Sequence, residues 1–352
     1  MIKIIFAWLA VPFVPFLFWG DLANTVPKNE IYGMISPEKR TQIERVLGQE
    51  DKSKQPFTGD PDCPAGNSLL SENVYASGFL PVKKDDYQDL KLWAGSSVAI
   101  DVDSGTVLHF DNAKKRTQIA SLTKMMTAIL AIENIKDLNK EIVTIPSEAM
   151  LIQGTIVGCP RTGFCPSNRL YAGEKVYAID LLKAMLMNSA NNAAYSLAVH
   201  IAGSEDKFVD MMNEKAKELG LTDTHFCTAS GLEIDGQENE CYSSAYDVAK
   251  IGAASLGYDL IWDIMKIPEG QFYSTDGKYM HVLKNTDLLL GTTPNCLGGK
   301  TGFTPMAGKS LLLGLTDAGQ KHRVISVLLN DENRWEDMKT LNSWIFNNYV
   351  WK

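Results

Sequence analysis

Ser121 and Lys124 stand three residues apart at the start of an apolar run that continues to Ile132. If the run is helical, the two side chains lie one turn apart on the same face. A lysine in a nearly fully apolar helix is costly to bury unless it has a partner or a chemical task. Because burial disfavours its charged form, its amine can take a proton from the serine. The pair predicts a nucleophile and its general base, and the alternative is a helix-capping serine beside a lysine that extends to solvent.

Two further motifs follow in the chain, Ser189-Ala190-Asn191 between two apolar runs and Lys300-Thr301-Gly302 before the last predicted hairpin. Taken alone, a Ser-x-Asn motif is a common loop serine followed by a helix-capping asparagine. A second Ser-x-x-Lys, at residues 36–39, lies in a polar stretch with no apolar run after it, and we interpret it as coincidence. The three remaining motifs, in this order and in these contexts, favour one shared catalytic site.

The elements that must position these motifs are strands at both ends of a domain with helices between them. Residues 97–102 and 106–110 predict a first hairpin, and residues 311–315 and 324–329 predict a last one. A closing amphipathic helix follows, with Trp335, Met338, Leu341 and Ile345 on one face. The pattern predicts an α/β (α+β) fold with an antiparallel sheet, whose first and last strands come from opposite ends, flanked by helices on both faces.

Composition excludes several classes of function. The net charge is −8 and the sequence has no basic run, which argues against a nucleic-acid partner. The six cysteines form no Cys-x-x-Cys pair, and neither they nor the five histidines have metal-ligand spacing, so no metal or cofactor is expected. Cys159 with Cys165 and Cys227 with Cys241 are candidate disulfides, although buried free thiols remain the alternative.

The N-terminal part predicts export. Residues 1–20 read as a signal peptide or an N-terminal membrane anchor, because Lys3 precedes a nearly uniform apolar run that no clean cleavage site follows. Residues 21–88 read as a polar spacer with one short amphipathic helix at residues 36–49. Residues 89–352 form the predicted domain. These features favour the cell envelope, with contact to the membrane through the N-terminal segment.

The three motifs resemble the signature of the superfamily of penicillin-binding proteins and class A β-lactamases. Within it, the chain is most similar to the serine D-alanyl-D-alanine carboxypeptidases, although Ala190 stands where the signature has aspartate. The resemblance covers about residues 90–350 and includes these segments: residues 99–108, 181–194, 228–232, 243–249 and 297–308. It implies a β-lactamase/transpeptidase-like fold with an additional all-helical subdomain.

The resemblance also implies roles for the first two motifs. Ser121 would attack the carbonyl of the penultimate D-alanine of a peptidoglycan stem peptide and form an acyl-enzyme. Lys124 would take the proton of Ser121, and Ser189 would pass a proton to the leaving D-alanine. Asn191 would orient Lys124 and bind the substrate amide. β-Lactams would trap the same serine.

The third motif would bind the end of the substrate. Lys300 and Thr301 would hold the terminal carboxylate, and Lys300 would help to keep Lys124 neutral. Gly302 would leave room for the substrate backbone beside a strand. The backbone N–H groups of Ser121 and Phe303 would form the oxyanion hole.

Four alternatives stay open at this point. A DD-endopeptidase would cleave peptidoglycan cross-links with the same residues. A class A β-lactamase would need a deacylating glutamate, and no Glu-x-x-Leu-Asn lies between Ser189 and Lys300. A non-catalytic sensor would use the cleft for recognition alone. A Ser-His-Asp hydrolase has little support, because no Gly-x-Ser-x-Gly surrounds any serine.

Overall fold

The structure, a computed structural model, describes residues 80–157, 169–237 and 239–352. Within these residues lie seven α-helices: α1 Lys124–Asn134, α2 Ala178–Met187, α3 Asn191–Ala202, α4 Glu205–Glu218, α5 Ala245–Ser255, α6 Asp259–Met265 and α7 Arg334–Asn348. Two turns are 3₁₀-helical, Ala120–Thr123 and Ser147–Met150. The predicted leader at residues 1–20, the helix at residues 36–49 and the candidate disulfide between Cys159 and Cys165 lie outside the described residues.

The same described residues contain eleven strands: β1 Pro81–Lys83, β2 Ser96–Asp101, β3 Val107–Asp111, β4 Ile142–Thr144, β5 Lys175–Tyr177, β6 Glu269–Tyr273, β7 Met280–Lys284, β8 Cys296–Thr304, β9 Gly308–Thr316, β10 Arg323–Leu329 and β11 Tyr349–Trp351. Five of them form an antiparallel sheet in the order β3-β2-β10-β9-β8. Pairing of β10 with β2 joins the two ends of the domain, with Ile325 opposite Ile100. The predicted sheet and both of its hairpins are confirmed.

Alternate residues of the central strands enter two separate cores, as the two-residue period of a strand requires. On one face Leu312 and Ile325 pack with α5, where Gly252 lets the helix approach their side chains closely. On the other face Leu311 and Leu313 pack in a core with Leu341 of α7. Helices therefore cover both faces of the sheet, as predicted.

Helix α1 is buried nearly all round, and eight of its eleven residues are inaccessible to solvent. It packs with α2, α3 and α4 into the predicted helical subdomain. Helix α4 begins at Ser204, whose side chain accepts a hydrogen bond from the N–H of Lys207 at 3.3 Å. The preceding helix α3 ends at Gly203, which has a φ of +81° that glycine adopts without strain.

The patterns of the sequence do not predict α5, α6 or the β6–β7 hairpin. Strand β1 lies ahead of residue 89, our predicted start of the domain, and pairs with β11 at the C-terminal end, with Val82 opposite Val350. The hairpin strands and α6 are short and carry little periodicity, whereas α5 has eleven residues but is buried on nearly all sides and shows no amphipathic pattern. Among the described residues, no helix has the length and apolar character needed to cross a membrane.

The close contact between β9 and α6 generates a stability prediction. A Cβ added at Gly314 would lie 2.5 Å from the indole ring of Trp262. Because a buried ring cannot shift freely, Gly314→Ala should lower the free energy of unfolding by about 1–3 kcal/mol, measured by urea unfolding. Gly319→Ala is the matched control, since its Cβ would meet the side chains of Asp317 at 3.1 Å and Lys321 at 3.8 Å and no buried ring. Equal losses in the two variants would contradict this account.

Candidate active site

Ser121 lies in the 3₁₀ turn that leads into α1, and two glycines press against this turn. A Cβ at Gly231 would lie 2.0 Å from the carbonyl oxygen of Ala120, and one at Gly302 would lie 2.8 Å from that of Ile119. Ala120 has a φ of +48°, in the left-handed region that non-glycine residues seldom adopt. The turn is therefore held between two backbone segments that only glycine allows to approach so closely.

Lys124 is completely buried, and its Nζ has three oxygen neighbours. Nζ lies 2.7 Å from Ser121 Oγ, 2.7 Å from Asn191 Oδ1 and 2.7 Å from the carbonyl oxygen of Ser230. The last two oxygens can only accept hydrogen bonds, so each takes one N–H of the lysine. A neutral amine has two N–H bonds and one lone pair. The lone pair is therefore directed at Ser121, whose hydroxyl can donate to it.

Asn191 is oriented by backbone carbonyls of residues 153–155, which follow the 3₁₀ turn at Ser147–Met150. Its Nδ2 donates to the carbonyl of Gln153 at 2.8 Å, which leaves Oδ1 facing Lys124. The backbone N–H of Asn191 donates to the carbonyl of Thr155 at 2.7 Å. Gly154 lies between these two carbonyls, and a Cβ there would come within 2.7 Å of Asn191 Nδ2. The side-chain amide is thus fixed from both ends.

Ser189 and Lys300 form a second pair in the same site. The Nζ of Lys300 donates to Ser189 Oγ at 2.8 Å and to the carbonyl of Thr301 at 2.9 Å. Ser189 occupies the left-handed region, with a φ of +57°, in the link between α2 and α3. Both side chains are buried. The structure therefore brings Ser121, Lys124, Ser189, Asn191 and Lys300 together, as the three motifs predict.

Burial dominates the charge state of both lysines. It lowers the pKa of Lys124 well below its ordinary value, and the neighbouring charge of Lys300 lowers this pKa further. Burial also lowers the pKa of Lys300 to about 7, with a contribution from Arg334 that the carboxylate of Asp287 opposes. Neutral Lys124 beside a more readily protonated Lys300 is the arrangement that a general base next to a fixed cation requires.

Strand β8 carries Lys300, Thr301, Gly302 and Phe303 at the edge of the sheet, where it pairs with β9 alone. Thr301 Oγ1 lies 2.7 Å from the hydroxyl oxygen of Thr286. Gly302 is needed for a reason that the sequence does not reveal, because it lets β8 approach the turn of Ser121. Phe303 follows on the same strand, opposite Lys309.

Several contributors to the site escape sequence analysis. Ser230 takes part through its backbone carbonyl, which any residue type supplies. Its segment, residues 228–232, resembles the family. Within this segment, only Gly231 is of a residue type that indicates an unusual backbone conformation. Arg334, whose Nη1 donates to the carbonyl of Gly302 at 2.9 Å, is distant in sequence and follows no motif. Asp287 is likewise an isolated residue in the sequence.

The structure also bears on the cysteine and histidine predictions. Cys227 and Cys241 form a disulfide with a Cα–Cα distance of 5.5 Å, which confirms this pairing. Cys296 is a half-buried free thiol, and burial raises its pKa to about 11. The hydroxyl of Ser121 meets an amine instead of an imidazole, in contrast to a Ser-His-Asp triad.

Comparison with known proteins gives a consistent result. DacA of Escherichia coli K12, a D-alanyl-D-alanine carboxypeptidase, is 35% identical over 262 residues, which cover 72% of this chain and 60% of DacA. DacB2 of Mycobacterium tuberculosis, with the same description, is 31% identical over 78% of this chain and 87% of DacB2. The chain spans 60–66% of the length of DacA and DacD of E. coli.

A solved structure supports the fold. Penicillin-binding protein D2 from Listeria monocytogenes, in its ampicillin-bound form, is 29% identical and superposes with a TM-score of 0.59, over 74% of this chain and 99% of that protein. The model of the family Peptidase_S11, described as D-alanyl-D-alanine carboxypeptidase, matches residues 83–333. Because this match covers more than half of the chain, the protein belongs to the D-alanyl-D-alanine carboxypeptidase family.

Proposed function

We propose that the protein is a serine DD-carboxypeptidase that removes the terminal D-alanine from peptidoglycan stem peptides. The observation that carries this proposal is the 2.7 Å distance between Lys124 Nζ and Ser121 Oγ. The other two partners of the amine, Asn191 Oδ1 and the carbonyl of Ser230, can only accept hydrogen bonds. Such an amine can remove the serine proton in the geometry that it already has. Family membership supports the choice of substrate.

In the acylation step, Ser121 Oγ attacks the carbonyl carbon of the penultimate D-alanine while its proton passes to Lys124. The bond to the terminal D-alanine then breaks, and the leaving nitrogen takes a proton through Ser189. Ser189 suits this relay because its hydroxyl accepts a hydrogen bond from Lys300 and is left free to donate. Water hydrolyses the ester in the second step and releases the shortened peptide and free Ser121.

Recognition of the terminal carboxylate is assigned to β8. Lys300 supplies a positive charge and Thr301 a hydroxyl, with Arg334 close enough to influence the charge on Lys300. An anion bound here balances two neighbouring cations whose mutual repulsion is otherwise unfavourable. Carboxylate binding is therefore coupled electrostatically to the state of the general base.

The oxyanion hole is assigned to the backbone N–H groups of Ser121 and Phe303. The close approach of Gly302 to Ile119 supports this assignment, because it brings the edge strand next to the turn of the nucleophile. Two N–H donors on rigid backbone stabilise the tetrahedral intermediate without reorganisation. The ampicillin-bound relative supports our proposal that β-lactams acylate Ser121.

We propose a location in the cell envelope, on the outer side of the cytoplasmic membrane. The apolar segment at residues 1–20 supports export and attachment, and residues 21–79 would serve as a spacer before the catalytic domain, which β1 extends ahead of the predicted start at residue 89. An envelope location also suits the Cys227–Cys241 disulfide, because disulfides persist in oxidising compartments.

Incubation of the full chain with defined muropeptides, followed by mass analysis, tests the activity. A pentapeptide should lose one alanine. Ser121→Ala should reduce this release by about a thousandfold or more, because the acyl-enzyme cannot form. Ser36→Ala, in the second Ser-x-x-Lys, is the matched control and should leave the rate unchanged.

Other products would redirect the proposal. Scission of cross-linked dimers without loss of alanine would indicate a DD-endopeptidase, and rapid turnover of a chromogenic β-lactam would indicate a β-lactamase. Penicillin labelling of Ser121 without any release from muropeptides would indicate a sensor.

The two lysines predict a bell-shaped dependence of kcat/KM on pH. The rate should rise as Lys124 loses its proton, and it should fall above about pH 7 as Lys300 loses its own. A bound carboxylate favours charged Lys300, so the alkaline limb of kcat should lie at higher pH than that of kcat/KM.

Two variants test whether the titration of Lys300 sets the alkaline limb of kcat/KM. Arg334→Gln should move it to higher pH, since a cation that lowers the pKa of Lys300 is removed. Lys339→Gln, at an exposed position on α7, should leave both limbs in place. An alkaline limb that coincides in kcat and kcat/KM and ignores Arg334→Gln would contradict the assignment.

A further inference from the structure

A disulfide closes the segment that supplies one of the three partners of Lys124. Cys227 and Cys241 are half-buried and separated by 14 positions in sequence. We name residues 228–240 the cross-linked loop. Its described residues contain no helix or strand. Their placement therefore depends on contacts at the two ends and along the inner side of the loop.

The first residues of the cross-linked loop fit directly against the catalytic turn. The carbonyl of Ser230 accepts from Lys124 Nζ at 2.7 Å, and the carbonyl of Ala229 accepts from Thr127 Oγ1 at 2.6 Å. Gly231 has a φ of +76° and lies against the carbonyl of Ala120. Three consecutive residues thus contact α1 or the turn that leads into it.

The next part of the cross-linked loop contacts the other side of the site. The carboxylate of Glu233 accepts from the backbone N–H of Met306 at 3.1 Å, and Met306 lies in the turn between β8 and β9. The loop therefore connects the general base to the end of the strand that carries Lys300. A shift of the loop would move the Ser230 carbonyl relative to both Lys124 and strand β8.

The base of the cross-linked loop is held by hydrogen bonds as well as by the disulfide, including two between the backbone of Phe226 and the side chain of Asn213, at 2.9 and 2.8 Å. A backbone pair joins His225 and Tyr242, with N–H to carbonyl distances of 2.8 and 3.0 Å. The imidazole Nδ1 of His225 lies 2.8 Å from the carbonyl of Glu240. His225 and Glu240 are both exposed, where water competes for such hydrogen bonds. The disulfide is the covalent restraint at this position.

We propose that the Cys227–Cys241 disulfide is a positioning element of the active site, which holds the Ser230 carbonyl against Lys124 and so sustains the rate of Ser121 acylation. This inference rests on the proposed function. If the loop relaxes, Lys124 loses an acceptor that directs its lone pair at Ser121. A dithiol opens the disulfide by transferring two electrons and two protons to it. The protein is left with two cysteine thiols, and the dithiol is oxidised to a cyclic disulfide.

Acylation of the full chain by a fluorescent penicillin, with and without dithiothreitol, tests the proposal. Reduction should lower the saturating acylation rate by about tenfold to a hundredfold, since misplacement of a catalytic group by about 1 Å can cost about a hundredfold in rate. The dissociation constant of the initial complex should stay unchanged, because Lys300 and Thr301 lie on β8, which its pairing with β9 holds in place. Reoxidation should restore the rate. A general loss of structure would not separate the two constants in this way.

Variants assign the effect to this pair of cysteines. Cys227→Ser with Cys241→Ser should acylate slowly and should no longer respond to dithiothreitol. Cys296→Ser, which removes a thiol outside the disulfide, should keep both the wild-type rate and the response. A double variant with the wild-type rate, or one that still responds to the reductant, would overturn the proposal.

If the double variant fails to fold, the positioning role is tested by the time course of reduction of the folded wild-type protein. The rate must fall in step with alkylation at Cys227 and Cys241 while the circular dichroism spectrum is constant. A fall that occurs only together with the spectrum would refute the positioning role. Equal acylation in both redox states would refute this inference alone, whereas absence of acylation in the oxidised protein would refute the proposed function.

Discussion

The active site depends on a buried amine whose hydrogen-bond partners are complete in both of its charge states. Neutral Lys124 donates to Asn191 and Ser230 and accepts from Ser121, and protonated Lys124 donates to all three oxygens. Transfer of the proton therefore changes the direction of one hydrogen bond and leaves the other two in place. A buried group with an unsatisfied partner would be destabilised in one of these states. The arrangement of the surrounding elements follows from the need to supply these oxygens.

Each partner of the amine comes from a different part of the chain, and close backbone packing brings these parts together. Gly231 and Gly302 flank the turn of Ser121, and Ala120 within it adopts a left-handed conformation. Such a conformation costs about 1–3 kcal/mol in a non-glycine residue, so the surrounding contacts must hold it in place. The large cores on both faces of the sheet provide this support. The site is therefore assembled from three segments that are distant from one another in the sequence.

The sequence predicts those features that rest on residue type and periodicity. Apolar patterns predict the central sheet and the buried helix α1. The spacing of Ser121 and Lys124 at the start of an apolar run predicts the catalytic pair. The carbonyl of Ser230 could not be predicted, because every residue has one and only the fold selects it. The resemblance to the family implies that Gly302 leaves room for substrate, and the structure adds that it permits close packing against Ile119. Short elements such as α6 carry too little periodicity to be recognised.

The two buried lysines of the site differ in the charged groups that surround them. Both are fully buried, but Lys300 has the carboxylate of Asp287 near it, and this carboxylate raises its pKa against the effects of burial and Arg334. Oδ2 of Asp287 accepts no hydrogen bond from the described residues, so this oxygen acts on the cations through its field alone. Burial lowers the pKa of Lys124 and the charge of Lys300 lowers it further, so the neutral amine is favoured. Under our proposal, this difference in surroundings suits Lys124 to the general base and Lys300 to the binding of a carboxylate.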